Sequence, residues 1–211
     1  MRTVSPGSTW VRPGRDTCSL HEPLSRITRE MIAGVYADMT RRPLTVCFTG
    51  HRHIAADALP LLTARMDRQL AQLYGKGYRD FLSGGALGFD LLAAERVIAL
   101  RRVHPDVRLI MVLPCGNQTH RWAAQDCHRY ERILYAADET RVLSPAYYEG
   151  CMQVRNRHMV DHSALCVCYM VSPRGGTLST VSYALKEAVP VMNLAMDMPV
   201  PVLQDGGEEA W

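Results

Sequence analysis

A chain of 211 residues, 47% of them hydrophobic, can bury a full-sized core, which excludes a wholly disordered polymer and a disulfide-stapled miniprotein. Its formal net charge of +3 is too small to argue for a nucleic-acid binder on charge alone. No uninterrupted apolar run reaches membrane-spanning length and no apolar h-region opens the chain, so no membrane partner and no secretory signal are expected.

Residues 1–42 read as an N-terminal extension, partly helical or disordered. Pro6, Gly7, Pro13 and Gly14 break its first part, and Leu24, Ile27, Met31, Ile32 and Val35 have helical spacing within about Pro23–Met39. From residue 43 to 195 strand and helix patterns alternate. Strands are expected at Leu44–Thr49, Asp80–Leu82, Val107–Leu113, Thr140–Leu143, Leu165–Val171 and Pro190–Leu194. Helices are expected at Leu59–Tyr74, Leu91–Arg102, His120–Ala137, Gly150–His162 and Leu178–Ala188. Repeated β-then-α units predict an α/β, Rossmann-like three-layer fold with a mainly parallel sheet and right-handed crossovers. Residues 196–211, rich in proline and glycine, read as a loosely ordered tail.

Seven cysteines (Cys18, Cys47, Cys115, Cys127, Cys151, Cys166 and Cys168) are odd in number, irregular in spacing and without a C-x-x-C pair. That pattern disfavours a disulfide framework and a zinc site, so no metal is expected. Cys166 and Cys168, two apart, share one side of a strand. Buried free thiols fit a reducing cytoplasm. Nearly all basic residues are arginine, Lys76 and Lys186 being the lysines. Arginine suits bidentate phosphate contacts, although a GC-rich coding sequence produces the same bias.

Three glycine-bearing turns follow three of these strands: Thr49-Gly50-His51-Arg52, Ser83 to Asp90, and Pro173-Arg174-Gly175-Gly176-Thr177. Glycine lets backbone N–H groups approach a ligand, and a helix N-terminus favours negative charge. In open α/β sheets such turns gather at the carboxyl ends of the strands. Ser83–Asp90 approaches the dinucleotide fingerprint, with Gly85 and Gly88 in its second and third places, but Ser83 replaces the first glycine. The next strand ends in Leu113-Pro114-Cys115 where a dehydrogenase carries an acid. No G-K-[ST] forms a Walker A loop.

Gly175-Gly176-Thr177 is the better phosphate candidate, since no acid falls between Pro173 and Thr180; Thr177 would also cap the helix. Arg52 is a second phosphate contact, and His51 is either a proton donor or a hydrogen-bonded turn residue. Asp90 either complements its helix dipole or meets a ligand hydroxyl. Arg155, Asn156 and Arg157, with Asp161 one turn on, read by default as an exposed polar face. Gln118 and Trp122 flank the start of a helix, where Trp122 stacks on a base or fills core.

Assembled, these motifs resemble the YpsA-like (DUF1273) proteins of the SLOG superfamily. The resemblance rests on Thr45 to Arg52, Gly84 to Asp90, Pro114 with Gln118 and Trp122, Arg129-Tyr130, Gln153 to Asp161, Gly175 to Thr177 and Tyr183-Ala184. It implies a Rossmann-like domain binding a nucleotide-type ligand, with no further cofactor assigned, at Thr49, Gly50, His51, Arg52, Gly84, Gly85, Ala86, Gly88, Asp90, Gln118, Trp122, Arg155, Asn156, Gly175, Gly176 and Thr177. The wider superfamily is proposed to sense or process ligands related to NAD, ADP-ribose or cyclic nucleotides. Its LOG phosphoribohydrolases cleave the base from a nucleoside monophosphate with a P-G-G-x-G-T-x-x-E glutamate. Here Thr180 stands at that glutamate's place, which leaves turnover open. Asp90, Asp161 and His51 are then the candidate acid–base groups. Ser83–Asp90 is also similar to the S-G-x-A-x-G-x-D stretch of DprA, which loads recombinase on single-stranded DNA. The expectations are ordered accordingly: a binding or sensing site first, a nucleotide hydrolase second, a single-strand binder third. Self-association into a homo-oligomer is left open.

Overall fold

A computed structural model describes residues 44–196. The expected N-terminal extension and the tail from residue 197 lie outside the described residues.

Strands β1 (Thr45–Gly50), β2 (Asp80–Ser83), β3 (Arg108–Leu113), β4 (Glu139–Val142), β5 (Leu165–Tyr169) and β6 (Val191–Asn193) form one sheet in the order β4-β3-β2-β1-β5-β6. Every pairing is parallel, so the expected mainly parallel sheet is wholly parallel. The connecting helices are α1 (Leu59–Gly75), α2 (Phe89–Arg101), α3 (Ala124–Ala136), α4 (Cys151–Asp161) and α5 (Gly175–Lys186). The chain runs outward from β1 to β4, then returns to place β5 on the other side of β1. With right-handed crossovers this reversal puts α1–α3 on one face and α4–α5 on the other.

Two core layers result, and the period-2 alternation of the strands feeds both. Val46 and Phe48 enter the layer shared with α1–α3, where Phe48 meets Phe81 and Phe89. Cys47, Cys166 and Cys168 enter the layer under α4 and α5 as buried free thiols. Burial pushes the Cys168 thiol up to about 12, so it stays protonated and inert near neutrality. No helix among the described residues is long and apolar enough to cross a membrane.

Two helix starts differ from expectation. Helix α3 begins at Ala124 rather than His120, so Gln118 and Trp122 lie in the turn before it instead of flanking its first residue. Helix α5 begins at Gly175 rather than Leu178, with Arg174 at its N-cap. The turn Pro173–Thr177 was expected to precede the helix, but the helix begins within it, at the first of its two glycines. Thr177 therefore lies buried within the first turn and does not cap the helix. The other ends agree to within two residues.

Candidate functional site

The reversal between β1 and β5 is the switch point at which open α/β sheets bind ligands. All three glycine turns leave the carboxyl edge there. The first and third, with Ala86 and Asp90 of the second, line a cleft of about 390 Å³. Of the sequence-predicted residues it gathers Thr49, Gly50, His51, Arg52, Ala86, Asp90, Arg155, Asn156, Gly175, Gly176 and Thr177. A second cleft of about 620 Å³ adjoins it, sharing Arg52, Ala86 and Met152, and holds Gln118 and Trp122. A larger open hollow of about 890 Å³ runs over α3, lined by Gln125, His128, Glu131, Arg132 and Tyr135. It contains none of the turns, and its walls are solvent-facing helix side chains, so size alone does not make it a site.

His51 ties the first turn to the other two. Its N–H donates to Tyr169 O at 3.1 Å, and its carbonyl accepts from Phe89 N–H at 3.2 Å. Ser172 N–H donates to its ring Nε2 at 3.4 Å. A nitrogen that accepts an N–H carries no proton itself, so proton donation from Nε2 would break this tie. The geometry gives His51 the hydrogen-bonded turn role.

The second turn is held from within. Ser83, in place of the fingerprint glycine, is fully buried; its hydroxyl donates to Asp90 O at 2.9 Å and accepts from Gly85 N–H at 3.3 Å. Gly88 has φ +78 and faces the Arg52 carbonyl so closely that a Cβ there would collide with it. A Cβ on Gly84 would strike the Arg155 guanidinium. Gly84, Gly85 and Gly88 thus build the turn without lining the first cleft.

Arg155 corrects the expectation of an exposed face: it is only 4% exposed. Cys151, Arg155 and Met159 recur every fourth residue and form the inward stripe of α4. Arg155 Nη1 donates to Gly84 O and, at 3.5 Å, to Val112 O, and its Nε donates to Asn156 Oδ1 at 2.7 Å. Asn156 Nδ2 donates to Thr180 Oγ1 at 2.8 Å, and Thr180 donates to Gly176 O at 2.8 Å. This chain links the second turn to the start of α5. Thr180, at the place of the LOG-type glutamate, is a structural tie within it.

Asp90 is 4% exposed at the cleft floor. Burial pushes its carboxyl up to about 6, against the opposing pull of the Arg155 charge and the Ala86 N–H. A folded-state value above the usual 3.8 means that Asp90 favours folding below about pH 4 and that this contribution is lost as pH rises through about 6. The shift corresponds to about 3 kcal/mol. Asp90→Asn cannot ionise. Its unfolding free energy relative to wild type is therefore expected to improve by about 2–3 kcal/mol between about pH 4 and pH 8. Urea unfolding across that range measures it, and a pH-independent difference would contradict the buried ionised carboxylate.

The third wall has the opposite character. No side chain caps α5, so its first-turn N–H groups face the cleft. A Cβ on Gly176 would meet nothing within 4 Å. Among the described residues Arg52 and Arg174 border this wall without an ion pair, and Asp90 is the one acidic residue that lines the cleft. The sequence reading did not single out Arg174 or Met152 as site residues; Arg174 was visible as the residue preceding the two glycines. Asp161 ends α4, accepts from the Tyr183 hydroxyl at 2.9 Å and lines neither cleft. In the second cleft Gln118 Nε2 donates to Gly85 O at 2.9 Å, and Trp122 sets its ring edge-on to Tyr130 at 5.4 Å. No cluster among the described residues has three His, Cys, Asp or Glu placed to hold a metal ion.

Comparison with known proteins agrees with this architecture. The chain is 36% identical over 106 residues to a UPF0398 protein of Halalkalibacterium halodurans, covering 49% of this chain and 56% of that protein. The match thus spans little more than half of that relative's length. It is 33% identical over 118 residues to the uncharacterized SPbeta prophage-derived protein YoqJ of Bacillus subtilis, covering 50% and 69% of the two chains. Among solved structures, DNA processing protein A from Helicobacter pylori, described for its single-stranded DNA binding mode, superposes with a TM-score of 0.53 at 23% identity. That superposition covers 72% of this chain and 65% of the other, and its likeness is one of fold. The model of the YspA SLOG family matches residues 46–197, and the chain belongs to that family.

Proposed function

We propose that the switch-point cleft binds a nucleotide or nucleotide-derived phosphate ligand, of the NAD or ADP-ribose type, as a sensing or processing site. The observation that carries this reading is the uncapped, glycine-led N-terminus of α5, which opens onto a wall bearing Arg52 and Arg174. Orphan N–H groups, the helix dipole and two guanidinium groups all favour a phosphate. The adjoining cleft, with Gln118 and the Trp122 ring, gives room for a second part of the ligand. Hydrolysis of a nucleotide bond is the second reading. It is favoured by Asp90, whose pKa of about 6 suits proton transfer near neutrality. A single-stranded nucleic acid is the third, motivated by the Helicobacter protein's stated binding mode and by Arg52, Arg121 and Arg174 around the two clefts. Among the described residues Trp122 is the one indole lining these clefts, whereas strand binders stack successive bases on aromatic rings.

Thermal unfolding with AMP, ADP, ATP, NAD, ADP-ribose, cyclic nucleotides and a short DNA strand tests the order of these readings. A ligand at a hundredfold its dissociation constant adds about 2.7 kcal/mol. For a chain of this size that raises the midpoint by roughly 5–10 °C. A nucleotide-selective rise supports the first reading, and free base or ribose phosphate accumulating with that nucleotide moves the assignment to the second. A rise with DNA alone would overturn both.

A further inference from the structure

We propose that Asp90 accepts hydrogen bonds from the ribose hydroxyls of the bound ligand, making the cleft selective for ribonucleotides over their deoxy counterparts. The inference rests on the nucleotide reading above and deepens it.

Asp90, the second residue of α2, is a buried carboxylate with few donors of its own. Its Oδ2 accepts one long bond, 3.4 Å, from Ala86 N–H, and its Oδ1 accepts none from the described residues. The neighbouring cation does not fill the gap. Arg155 compensates Asp90 by charge, but its bonded N–H groups are directed at the carbonyls of Gly84 and Val112 and at Asn156 Oδ1. A buried carboxylate normally collects several donors, and such donors lower its pKa. Here burial dominates and holds it at about 6, as expected of a group still short of its partners.

Because Asp90 lines the cleft, the missing donors belong to the ligand. A phosphate there would meet like charge, and the phosphate-favouring wall is the separate one at Gly175–Thr177. Base carbonyls and unprotonated ring nitrogens are acceptors and cannot satisfy it, and the amino and ring N–H donors of a base belong with the adjoining cleft that holds Gln118 and Trp122. The vicinal hydroxyls of ribose present two adjacent O–H donors to two carboxylate oxygens and carry no charge. Asp90 also bonds Ala86, one of the residues bordering both clefts, which places the sugar where base and phosphate regions join. Sites built to bond a hydroxyl reject the analogue lacking it, because the buried acceptor is then left unpaired.

The test is calorimetric titration of the full chain with AMP, GMP, CMP and UMP, each against its 2′-deoxy and 3′-deoxy analogues. The nucleotide that binds is expected to weaken at least tenfold when either hydroxyl is removed. Asp90→Ala, with its fold checked by circular dichroism, is expected to bring that ratio near one; Asp90→Leu, which has no acceptor and a similarly branched shape, serves in its place should the alanine variant not fold. Equal wild-type affinity for ribo and deoxy forms would overturn the inference while leaving the nucleotide reading standing. A ribose preference retained in a folded Asp90→Ala would overturn the assignment to Asp90. Absence of binding to every nucleotide tested here and in the thermal panel would overturn the reading beneath it and the inference together.

Discussion

Gly176→Asp is expected to abolish nucleotide binding while leaving the fold intact. A Cβ at this position enters open space, so the substitution displaces no packed atom. The residue lies in the first turn of a 12-residue helix, where an acidic side chain complements the dipole and slightly favours the helix. The same carboxylate would stand where the ligand phosphate approaches the α5 N–H groups. Two like charges about 4 Å apart repel by about 1–4 kcal/mol between water and a partly screened protein surface. Loss of the phosphate contacts adds to this, so affinity should fall on the order of a hundredfold or more. Titration of the variant beside its thermal midpoint separates the two effects. Unchanged affinity in a folded variant would exclude the third turn from the site.

Gly88→Ala is expected to do the reverse and damage the fold itself. Gly88 has φ +78 and ψ −117, a conformation that L side chains rarely adopt. Its Cβ would lie against the Arg52 carbonyl and within 2.6 Å of the His51 carbonyl. Neither atom can retreat cheaply, because the His51 carbonyl holds Phe89 N–H and anchors the start of α2. Backbone strain and overpacking together should cost about 3–5 kcal/mol. Urea unfolding reads that loss directly. A midpoint like that of wild type would contradict the close packing of the first two turns.

These two glycines show where the sequence was legible and where it was not. The parallel α/β architecture could be read because the strands β1, β3 and β5 carry apolar runs buried on both faces, each followed by turn residues and a helical pattern. The gathering of three turns at one edge then follows from the topology. Their division of labour does not, since the same residue type serves both where a neighbour fills the missing Cβ, as at Gly88, and where nothing does, as at Gly176. His51 was left with two roles because its partners, Phe89, Tyr169 and Ser172, lie far along the chain, and it meets all three through their backbone atoms. Arg155 is different. Its place in the Cys151–Met159 stripe was visible, but a charged residue on that stripe was assigned to solvent when its partners, the Gly84 carbonyl and Asn156, were there to bury it. Asp161 had the right chemistry at the wrong end of α4, far from the carboxyl edge.

Nucleotide binding at the switch-point cleft is tested most directly by a map of backbone amide chemical-shift changes as the nucleotide giving the largest thermal shift is titrated in. The largest changes are expected at Gly50–Arg52, Ala86 and Gly175–Thr177, with smaller ones at Gln118 and Trp122. Changes confined to the outer face of α3 around His128 and Tyr135, with the three turns unmoved, would contradict binding at the cleft.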